Sequence, residues 1–186
     1  MADRTEIALL PTVLVLASGR GERFRASGGT CHKLQADLCG KPVLERTLDV
    51  VRGSGLQWHL EDAGHPGMGD TIAAAVRATP DAQGWMVLPA DLPLVTMQTL
   101  LQIACAPLHA DILVPDFQGQ RGHPVRFAKS CYHALIALHG AHGAATVVAA
   151  HSSERLAVTD AGCVTDIDTL ADLELARALF NARKRH

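Results

Sequence analysis

The amino-acid sequence predicts an α/β fold: a three-layer, Rossmann-like sandwich with a mostly parallel sheet. Three observations predict it. Apolar, β-prone runs alternate with amphipathic helical patterns along the chain. The first of these runs ends in a glycine-rich loop, and another ends just before Asp91. Ligands of open α/β sheets collect at the carboxyl ends of the strands, so we expect a functional site at these two positions.

The strands are predicted from short apolar runs that are bounded by turn residues. The runs at residues 13–16 and 84–89 are typical of buried strands, and the others are shorter. In chain order we predict strands at residues 13–16, 56–60, 84–89, 111–114, 125–127, 156–158 and 164–167.

The helices are predicted from apolar residues at helical spacing and from residues that start or stop a helix. Pro42 suits a first helical turn, and Gly53 and Gly55 stop the helix that follows it. Asp70 or Thr71 caps an alanine-rich helix. In chain order we predict helices at residues 41–51, 70–78, 97–104, 129–138, 144–150 and 170–182, with loops at 62–69, 115–124 and 139–143.

Length and composition favour one domain that acts on a small molecule. A chain of 186 residues with 48% hydrophobic content can bury one core, so we expect a single domain over residues 1–186. The net charge of -2 provides no basic field for nucleic acid or a membrane surface, and the apolar patch at residues 7–10 is too short to span a bilayer. Five scattered cysteines, none in a CxxC pair, argue against a disulfide framework or zinc ribbon and favour a cytoplasmic location.

The loop after the first strand carries the strongest local signal. Residues 17–21 are mostly small, and Arg20, Arg23 and Lys33 lie within or after them. Small residues let several backbone N–H groups approach an anion, and fixed cations neutralise its remaining charge, so we interpret the loop as phosphate-binding. Phe24 stands where a dinucleotide fingerprint has its third glycine, and no Walker lysine follows the strand. The alternative is an ordinary glycine-rich turn with solvated arginines.

Three aspartates are candidate metal ligands. Asp91 lies between Pro89 and Pro93, which restrict the backbone around it, as suits a ligand of Mg²⁺. Asp166 and Asp168 alternate along an extended run and therefore point to one face. The alternative for each carboxylate is a turn or a helix cap.

Two further loops are candidates for binding a substrate. Gly122, His123 and Pro124 follow a polar loop; the glycine gives backbone access, and the histidine can hydrogen-bond to a phosphate or pair with its charge. Glycines within residues 67–69 precede the helix that begins near Asp70, and a helix N-terminus suits an anion. The alternatives are a solvent-exposed histidine and a plain capped helix.

Four stretches together resemble one known family. Residues 16–24 (LASGRGERF), followed by Lys33, resemble the LAxGxGxRM…K signature of the MobA-like nucleotidyltransferases, which include the molybdenum cofactor cytidylyl- and guanylyltransferases. Residues 88–93 (LPADLP), 122–125 (GHPV) and 166–169 (DIDT) agree with this family in order and spacing. The resemblance covers nearly the whole chain and implies the fold of the nucleotide-diphospho-sugar transferases.

The resemblance also implies an activity and a role for each motif. Such enzymes transfer a nucleoside monophosphate from an NTP to a phosphate of an acceptor and release pyrophosphate. The implied Mg²⁺ ligands are Asp91 and Asp168, and the implied catalytic residues are Arg20, Arg23, Lys33 and Asp91. The implied nucleotide-binding residues are Leu16, Ala17, Ser18, Gly19, Arg20, Gly21, Lys33 and Asp70. The implied acceptor-binding residues are Gly67, Met68, Gly69, Gly122, His123 and Pro124.

The cytidylyl branch is the closer resemblance. Ala17 and Ser18 stand where we expect two glycines in the guanylyl branch, and the motif at residues 122–124 agrees with the cytidylyl branch. CTP is therefore the expected nucleotide, molybdopterin cofactor the expected acceptor, and a molybdoenzyme the expected client.

Two departures from the family pattern keep other functions open. Residues 25–32 are additional between the loop and Lys33, and the segment at residues 53–68 is short. One alternative is a nucleotidyltransferase that acts on a sugar phosphate or another alcohol phosphate. A second is a non-transferase, such as an NAD(P)-dependent reductase or a chaperone that binds molybdenum cofactor.

Overall fold

The computed structural model describes residues 10–183, in which strands and helices alternate for most of the chain. The apolar patch at residues 7–10 lies outside the described residues except for Leu10. The strands are β1 (Thr12–Leu16), β2 (Trp58–Glu61), β3 (Gly84–Pro89), β4 (Ile112–Phe117), β5 (Gln120–Arg121), β6 (Val125–Ala128) and β7 (Ser153–Ala157). The α-helices are α1 (Glu22–Ala26), α2 (Val43–Ser54), α3 (Met68–Ala78), α4 (Met97–Cys105), α5 (Tyr132–Ile136), α6 (Ala145–Ala150) and α7 (Leu170–Arg183). Three short 3₁₀ turns span Lys33–Gln35, Lys129–Cys131 and Ala161–Val164.

The strands form one mixed sheet in the order β2-β1-β3-β6-β4. β7 pairs with β4 in parallel, on the edge that β6 leaves free, and β5 forms a hairpin with the end of β4. β6 is antiparallel to both of its neighbours. Because β5 and β6 alone oppose the direction shared by the other described strands, the sheet is mostly parallel, and the predicted α/β sandwich is confirmed.

The core has two layers, one on each face of the sheet. Val13 and Val15 of β1 pack into the layer beneath α2, α4 and α7, whereas Leu14 and Leu16 pack into the layer beneath α3 and α5. All four side chains are nearly inaccessible to solvent. Burial on both faces explains why the β1 run is apolar throughout instead of alternating with polar residues.

The predicted strand at residues 164–167 is wrong. Of these residues only Val164 belongs to a regular element, the 3₁₀ turn Ala161–Val164, and the Asp160 carboxylate accepts a hydrogen bond from the Gly162 amide at the start of this turn. Gly162 packs against the backbone of Leu94, so closely that an added Cβ would lie 2.0 Å from the Leu94 carbonyl oxygen. This tertiary contact holds the compact turn that precedes residue 165, and residues 165–167 belong to no strand.

The predicted loop at residues 115–124 is shorter than expected. β4 continues to its hairpin with β5, and the turn residues Gln118 and Gly119 both have positive φ, at 53° and 89°. Positive φ at both positions is typical of the two-residue hairpin turns whose twist matches that of the strands. Gly122 follows β5 and donates its amide hydrogen bond to the Pro115 carbonyl, at 2.8 Å.

Several helix boundaries also differ from the predictions. α1 was not predicted, and its start is set by Gly21, which has a φ of 63°. α3 begins at Met68, so Asp70 lies inside its first turn and does not precede it. The predicted helix at residues 129–138 is a 3₁₀ turn followed by the short α5.

No helix between residues 10 and 183 is both long enough and apolar enough to cross a bilayer. All five cysteines are free thiols in the structure.

Candidate active site

A cleft of about 670 Å³ opens at the carboxyl ends of β1 and β3. The strands are adjacent, and the Ala90 amide donates to the Leu16 carbonyl at 3.0 Å, which holds the two strand ends together. The Ile167 amide donates to the Asp91 carbonyl at 3.0 Å and brings residues 166–168 beside Asp91. The buried Thr47 hydroxyl donates to the Ala90 carbonyl at 2.8 Å and further fixes this backbone. The sheet therefore gathers residues from distant parts of the sequence at one edge.

Lys33 lies at the centre of a charge cluster in this cleft. Its Nζ atom is 2.6 Å from Asp91 Oδ2 and 2.6 Å from Asp168 Oδ1, and Arg23 contacts the other oxygen of Asp168 at 2.6 Å. Burial alone would lower the pKa of Lys33, but the two carboxylates outweigh it and raise that pKa above its ordinary value. Lys33 is therefore a fixed cation at neutral pH.

The carboxylates have the chemistry of a site for a hard divalent cation. Asp91 Oδ1 is buried and has no hydrogen-bond partner among residues 10–183, so it has an acceptor position to offer. Within the same residues no three His, Cys, Asp or Glu side chains form a metal cage. Mg²⁺ is commonly held by one or two carboxylates, with water and substrate phosphates completing its shell, and Asp91 with Asp168 fits this pattern.

Asp166 is a third carboxylate that lines the cleft. Burial raises the pKa of Asp166, and the nearby charges of Asp91 and Asp168 raise it further. The alternation of Asp166 and Asp168 in the sequence predicted a shared direction, and both residues line the cleft.

The glycine-rich loop is shaped by the segment that follows it. Gly21 adopts a left-handed backbone, and a Cβ atom added to Gly19 would meet nothing within 4 Å, so the cleft is open in front of the loop. His32 Nε2 lies 2.7 Å from the Gly19 carbonyl oxygen. An added Cβ on Gly29 would lie 2.3 Å from the Phe24 ring, so residues 25–32 fold tightly against α1. This additional segment therefore places Lys33 in the cleft.

Most of the residues implied by the family resemblance line the cleft, and the others lie outside it. Those that line the cleft are Ser18, Gly19, Arg20, Gly21, Arg23, Lys33, Gly67, Met68, Asp91, His123 and Asp168. Leu16 and Gly122 line a second cavity, which Met68 and His123 also border. Ala17, Gly69, Asp70 and Pro124 line neither space.

Three of the residues outside the cleft have other partners. The Ala17 amide donates to the Glu61 carbonyl at 2.8 Å, so it is engaged in joining β1 to β2. Asp70 accepts a hydrogen bond from the Gly140 amide at 2.9 Å, and the Gly69 amide donates to the Gly140 carbonyl at 2.8 Å. Gly69 and Asp70 thus attach α3 to the loop at residues 139–143.

His123 lies between the cleft and the second cavity. Burial lowers the pKa of His123 and outweighs the opposing effects of the Val87 carbonyl, Asp91 and Asp166, so the imidazole is neutral at physiological pH. Its Nδ1 atom is buried without a hydrogen-bond partner among the described residues. The backbone amide of His123 donates to the Cys163 carbonyl at 2.8 Å, which holds the main chain of this residue.

Sequence reasoning missed three residues at the site. His32 precedes Lys33 directly, but its contact with Gly19 depends on how residues 25–32 fold. His65 lines the cleft and is held by Glu61 Oε1 at 3.0 Å. Arg121 lines the cleft and immediately precedes the motif that begins at Gly122. Its place beside this motif was the sequence signal that could have identified Arg121 as a site residue.

A loop that is open to an anion, with cations and acidic groups at the ends of parallel strands, can hold a metal-bound triphosphate. That chemistry is typical of nucleotidyl transfer. Residues 13–156 match the MobA-like NTP transferase domain, so the chain belongs to this family.

Among curated proteins, the chain is 30% identical over 135 residues to the bifunctional protein GlmU of Xanthomonas axonopodis pv. citri (strain 306). That match covers 60% of this chain and 29% of GlmU, so the chain corresponds to about three tenths of the relative's length.

Three solved structures of two proteins show the same fold. Rv0371c from Mycobacterium tuberculosis H37Rv is 24% identical with a TM-score of 0.74, covering 90% of this chain and 96% of the other. The same mycobacterial protein has been solved as a complex with manganese, at a TM-score of 0.70 and 23% identity over 90% of this chain and 97% of that one. Molybdopterin-guanine dinucleotide biosynthesis protein A from Archaeoglobus fulgidus is 19% identical with a TM-score of 0.67, covering 92% and 99% of the respective chains.

Proposed function

We propose that the protein transfers CMP from CTP to the phosphate of molybdopterin cofactor, releases pyrophosphate and requires Mg²⁺. The observation that carries the transferase part is the convergence of Lys33 with Asp91 and Asp168, together with the unpartnered Asp91 Oδ1 atom. The acceptor rests on the motif resemblance and on the fold shared with a molybdopterin-guanine dinucleotide biosynthesis protein, and the choice of CTP rests on the motif resemblance alone.

The cations would hold the triphosphate. Lys33 is buried and fixed, so it would bind phosphate oxygens at the depth of the cleft. Arg20 and Arg23 are largely exposed, with 72% and 80% of their side chains accessible, and would close on the triphosphate from its solvent side. Asp91 and Asp168 would hold the Mg²⁺. When bound, this cation would neutralise part of the phosphate charge during the transfer.

The reaction needs no covalent step with the protein. An oxygen of the acceptor phosphate forms a bond to the α-phosphorus of CTP, and the bond from that phosphorus to the bridging oxygen breaks. The electron pair leaves with pyrophosphate. Since a phosphate oxygen is already deprotonated at neutral pH, no general base is required, and the residues act by positioning and by charge.

The loop at residues 17–21 would face the nucleotide. The Ser18 hydroxyl lies 3.4 Å from the Glu61 carbonyl, and Gly19 leaves open space in front of its Cα atom. Because the Ala17 amide is engaged by Glu61, recognition of the base would use the other groups of the loop. Gly67, Met68 and His123 would face the acceptor from the opposite wall of the cleft.

The location and the client belong to the same proposal. Five free cysteines suit the reducing cytoplasm. A molybdoenzyme that uses the dinucleotide cofactor would receive the product.

The test measures pyrophosphate release in the presence of Mg²⁺ and molybdopterin cofactor. Four parallel reactions contain CTP, GTP, ATP or UTP. We expect release with CTP. A sugar phosphate and another alcohol phosphate serve as competing acceptors, and preference for either would overturn the molybdopterin assignment. Absence of pyrophosphate with every pair would overturn the transferase proposal, and oxidation of NAD(P)H or tight cofactor binding without turnover would then indicate a reductase or a chaperone.

A further inference from the structure

The additional segment contacts the glycine-rich loop at two carbonyl groups. The Arg25 guanidinium donates to the Arg20 carbonyl at 2.7 Å, and His32 Nε2 lies 2.7 Å from the Gly19 carbonyl oxygen. The other ring nitrogen of His32, Nδ1, accepts from the Leu34 amide at 3.3 Å, so the ring hydrogen is on Nε2 and is donated to Gly19. Two side chains of one segment therefore hold two consecutive carbonyls of the loop.

These contacts decide which way the loop amides point. In a planar trans peptide, the carbonyl and the N–H that follows it point in opposite directions. Arg25 and His32 do not line the cleft. Gly19, Arg20 and Gly21 do line it. The carbonyls of Gly19 and Arg20 are therefore directed away from the cleft, and the N–H groups of Arg20 and Gly21 are directed toward it.

The two N–H groups are available to a ligand. Neither the Arg20 amide nor the Gly21 amide donates to an acceptor among residues 10–183. An added Cβ at Gly19 would meet nothing within 4 Å, so no side chain obstructs the approach to the loop. Successive N–H groups that face the same side form a concave site for an anion. The orientation of two peptide units therefore determines how well this loop can bind a phosphate group.

The additional segment is itself held on its other side. The Ser27 hydroxyl donates to the Phe24 carbonyl at 2.8 Å and accepts from the Leu170 amide at 3.0 Å, at the start of α7. The Phe24 ring is buried, and Gly29 packs against it so closely that no Cβ would fit between them. The segment is therefore fixed to the core and to α7, and it can hold the loop without the help of a ligand.

We propose that the additional segment orients the glycine-rich loop for a polyphosphate before the ligand binds, with Arg25 and His32 as positioning residues. His32 holds the peptide unit that carries the Arg20 N–H, and Arg25 holds the unit that carries the Gly21 N–H. Both residues act through the backbone from outside the cleft. The inference rests on the proposed function, because it assigns these amides to the triphosphate of the nucleotide.

Five variants test the two residues. Arg25→Met and His32→Leu each remove a donor to the loop. Arg25→Lys and His32→Gln replace the same side chains by others that can donate a hydrogen bond. Arg77→Met is the matched control, because it removes an exposed arginine that also donates to a backbone carbonyl, that of Ile136, and lies outside the cleft.

The first measurement is the calorimetric affinity for tripolyphosphate with Mg²⁺, without nucleoside or acceptor. Loss of a hydrogen bond to the loop should weaken binding by at least about fivefold in Arg25→Met and in His32→Leu. Arg25→Lys and His32→Gln should bind more tightly than these two variants, and Arg77→Met should match the unmodified protein. The weakening in Arg25→Met should persist in about 0.5 M NaCl, which screens a long-range attraction. Unchanged affinity in Arg25→Met, or a weakening that disappears in salt, would overturn the inference.

The second measurement is hydrogen exchange of the loop amides, resolved by nuclear magnetic resonance. Bound tripolyphosphate should slow the exchange of the Arg20 and Gly21 amides by at least about tenfold in the unmodified protein. Arg25→Met should lose this protection mainly at Gly21, and His32→Leu mainly at Arg20, because each side chain holds one peptide unit. Absence of protection in the unmodified protein, or equal protection in all variants, would overturn the inference. The expected pattern, combined with no pyrophosphate from any nucleotide, would support the inference and contradict only the proposed transferase function.

Discussion

Lys33 Nζ lies 2.6 Å from Asp91 Oδ2, while the other oxygen of that carboxylate is buried without a hydrogen-bond partner among residues 10–183. The same ammonium contacts Asp168 at 2.6 Å. A metal ion held by Asp91 and Asp168, as proposed, would therefore compete with Lys33 for the charge of the same two carboxylates. Nucleotide phosphates resolve the competition because they attract both cations, so the metal should enter the site together with the nucleotide.

Replacing Lys33 should change the metal affinity and the turnover rate in opposite directions. In Lys33→Met, the carboxylates lose their competing cation, so the affinity for Mn²⁺ without nucleotide should increase severalfold. Turnover should fall by at least about 100-fold, because a fixed charge at the triphosphate is lost. Electron paramagnetic resonance measures the Mn²⁺ affinity. Lys41→Met is the control, since Lys41 forms an exposed pair with Asp49 at 2.6 Å. Weaker Mn²⁺ binding in Lys33→Met would contradict the competition.

Asp91→Asn should remove activity and keep the fold. The substitution removes a charge from the proposed metal site, so kcat should fall by at least about 100-fold. Lys33 keeps Asp168 as an ionic partner, so circular dichroism should show a folded protein with a similar melting temperature. Asp62→Asn, at an exposed residue outside the cleft, is the control. Full activity in Asp91→Asn would rule out its assignment as a metal ligand.

His32 should act as a positioning residue for the glycine-rich loop. His32→Leu removes its contact with the Gly19 carbonyl and also the hydrogen bond that its Nδ1 accepts from the Leu34 amide at 3.3 Å. The loss of these two hydrogen bonds, about 1 kcal/mol each, should raise the KM for the nucleotide by at least about fivefold, with a smaller change in kcat. His151→Leu is a matched control, because its ring contacts the Val147 carbonyl at 3.0 Å far from the cleft. A nucleotide KM that rises equally in both variants would indicate a general loss of stability instead.

Asp160 should stabilise the fold from outside the site. Its buried carboxylate accepts hydrogen bonds from the Thr96 amide, the Thr99 hydroxyl and the Gly162 amide, and it pairs with Arg183. Asp160→Ala leaves these buried donors without an acceptor and should lower the free energy of unfolding by about 2–3 kcal/mol in urea denaturation.

The effect of Asp160 should depend on pH. Burial alone would raise the pKa of Asp160, but its hydrogen bonds outweigh burial and lower it. The folded protein therefore binds this proton less readily than the unfolded chain, whose aspartates titrate near about pH 4. The stabilisation is complete above that pH and is lost as the pH falls through the folded pKa. The difference in melting temperature between the unmodified protein and Asp160→Ala should be constant from neutral pH downward and shrink only in acid.

Asp49→Asn is the control for this prediction. Hydrogen bonding to Lys41 lowers the pKa of Asp49 as well, but the Asp49 side chain is 41% exposed. Solvent screens an exposed pair, so its removal should change the unfolding free energy by less than about 1 kcal/mol. Equal losses in Asp49→Asn and Asp160→Ala would contradict the role assigned to burial.

Local patterns predicted the parts of the fold that depend on a few neighbouring residues. β1 and β3 were located to within one residue because their apolar runs are continuous and bounded by turn residues. The strand predicted at residues 164–167 is wrong, and the turn that takes in Val164 is held by the contact of Gly162 with Leu94, which is distant in sequence. The position of Asp70 could not be predicted either, since its partner Gly140 lies 70 residues away.

The alternation of elements, the small-residue loop after β1 and the chemical types of Lys33, Asp91 and Asp168 are properties of the sequence alone. The tertiary structure decided that these three side chains meet, across separations of 58 and 135 residues. It also decided that His32 holds the loop and that Arg121 lies between two cavities. The physical reason is the range over which each effect acts. Secondary-structure propensity and hydrophobic periodicity act over one or two turns of the chain. Contacts between charged side chains instead depend on the strand order and on backbone hydrogen bonds such as that between Ile167 and Asp91.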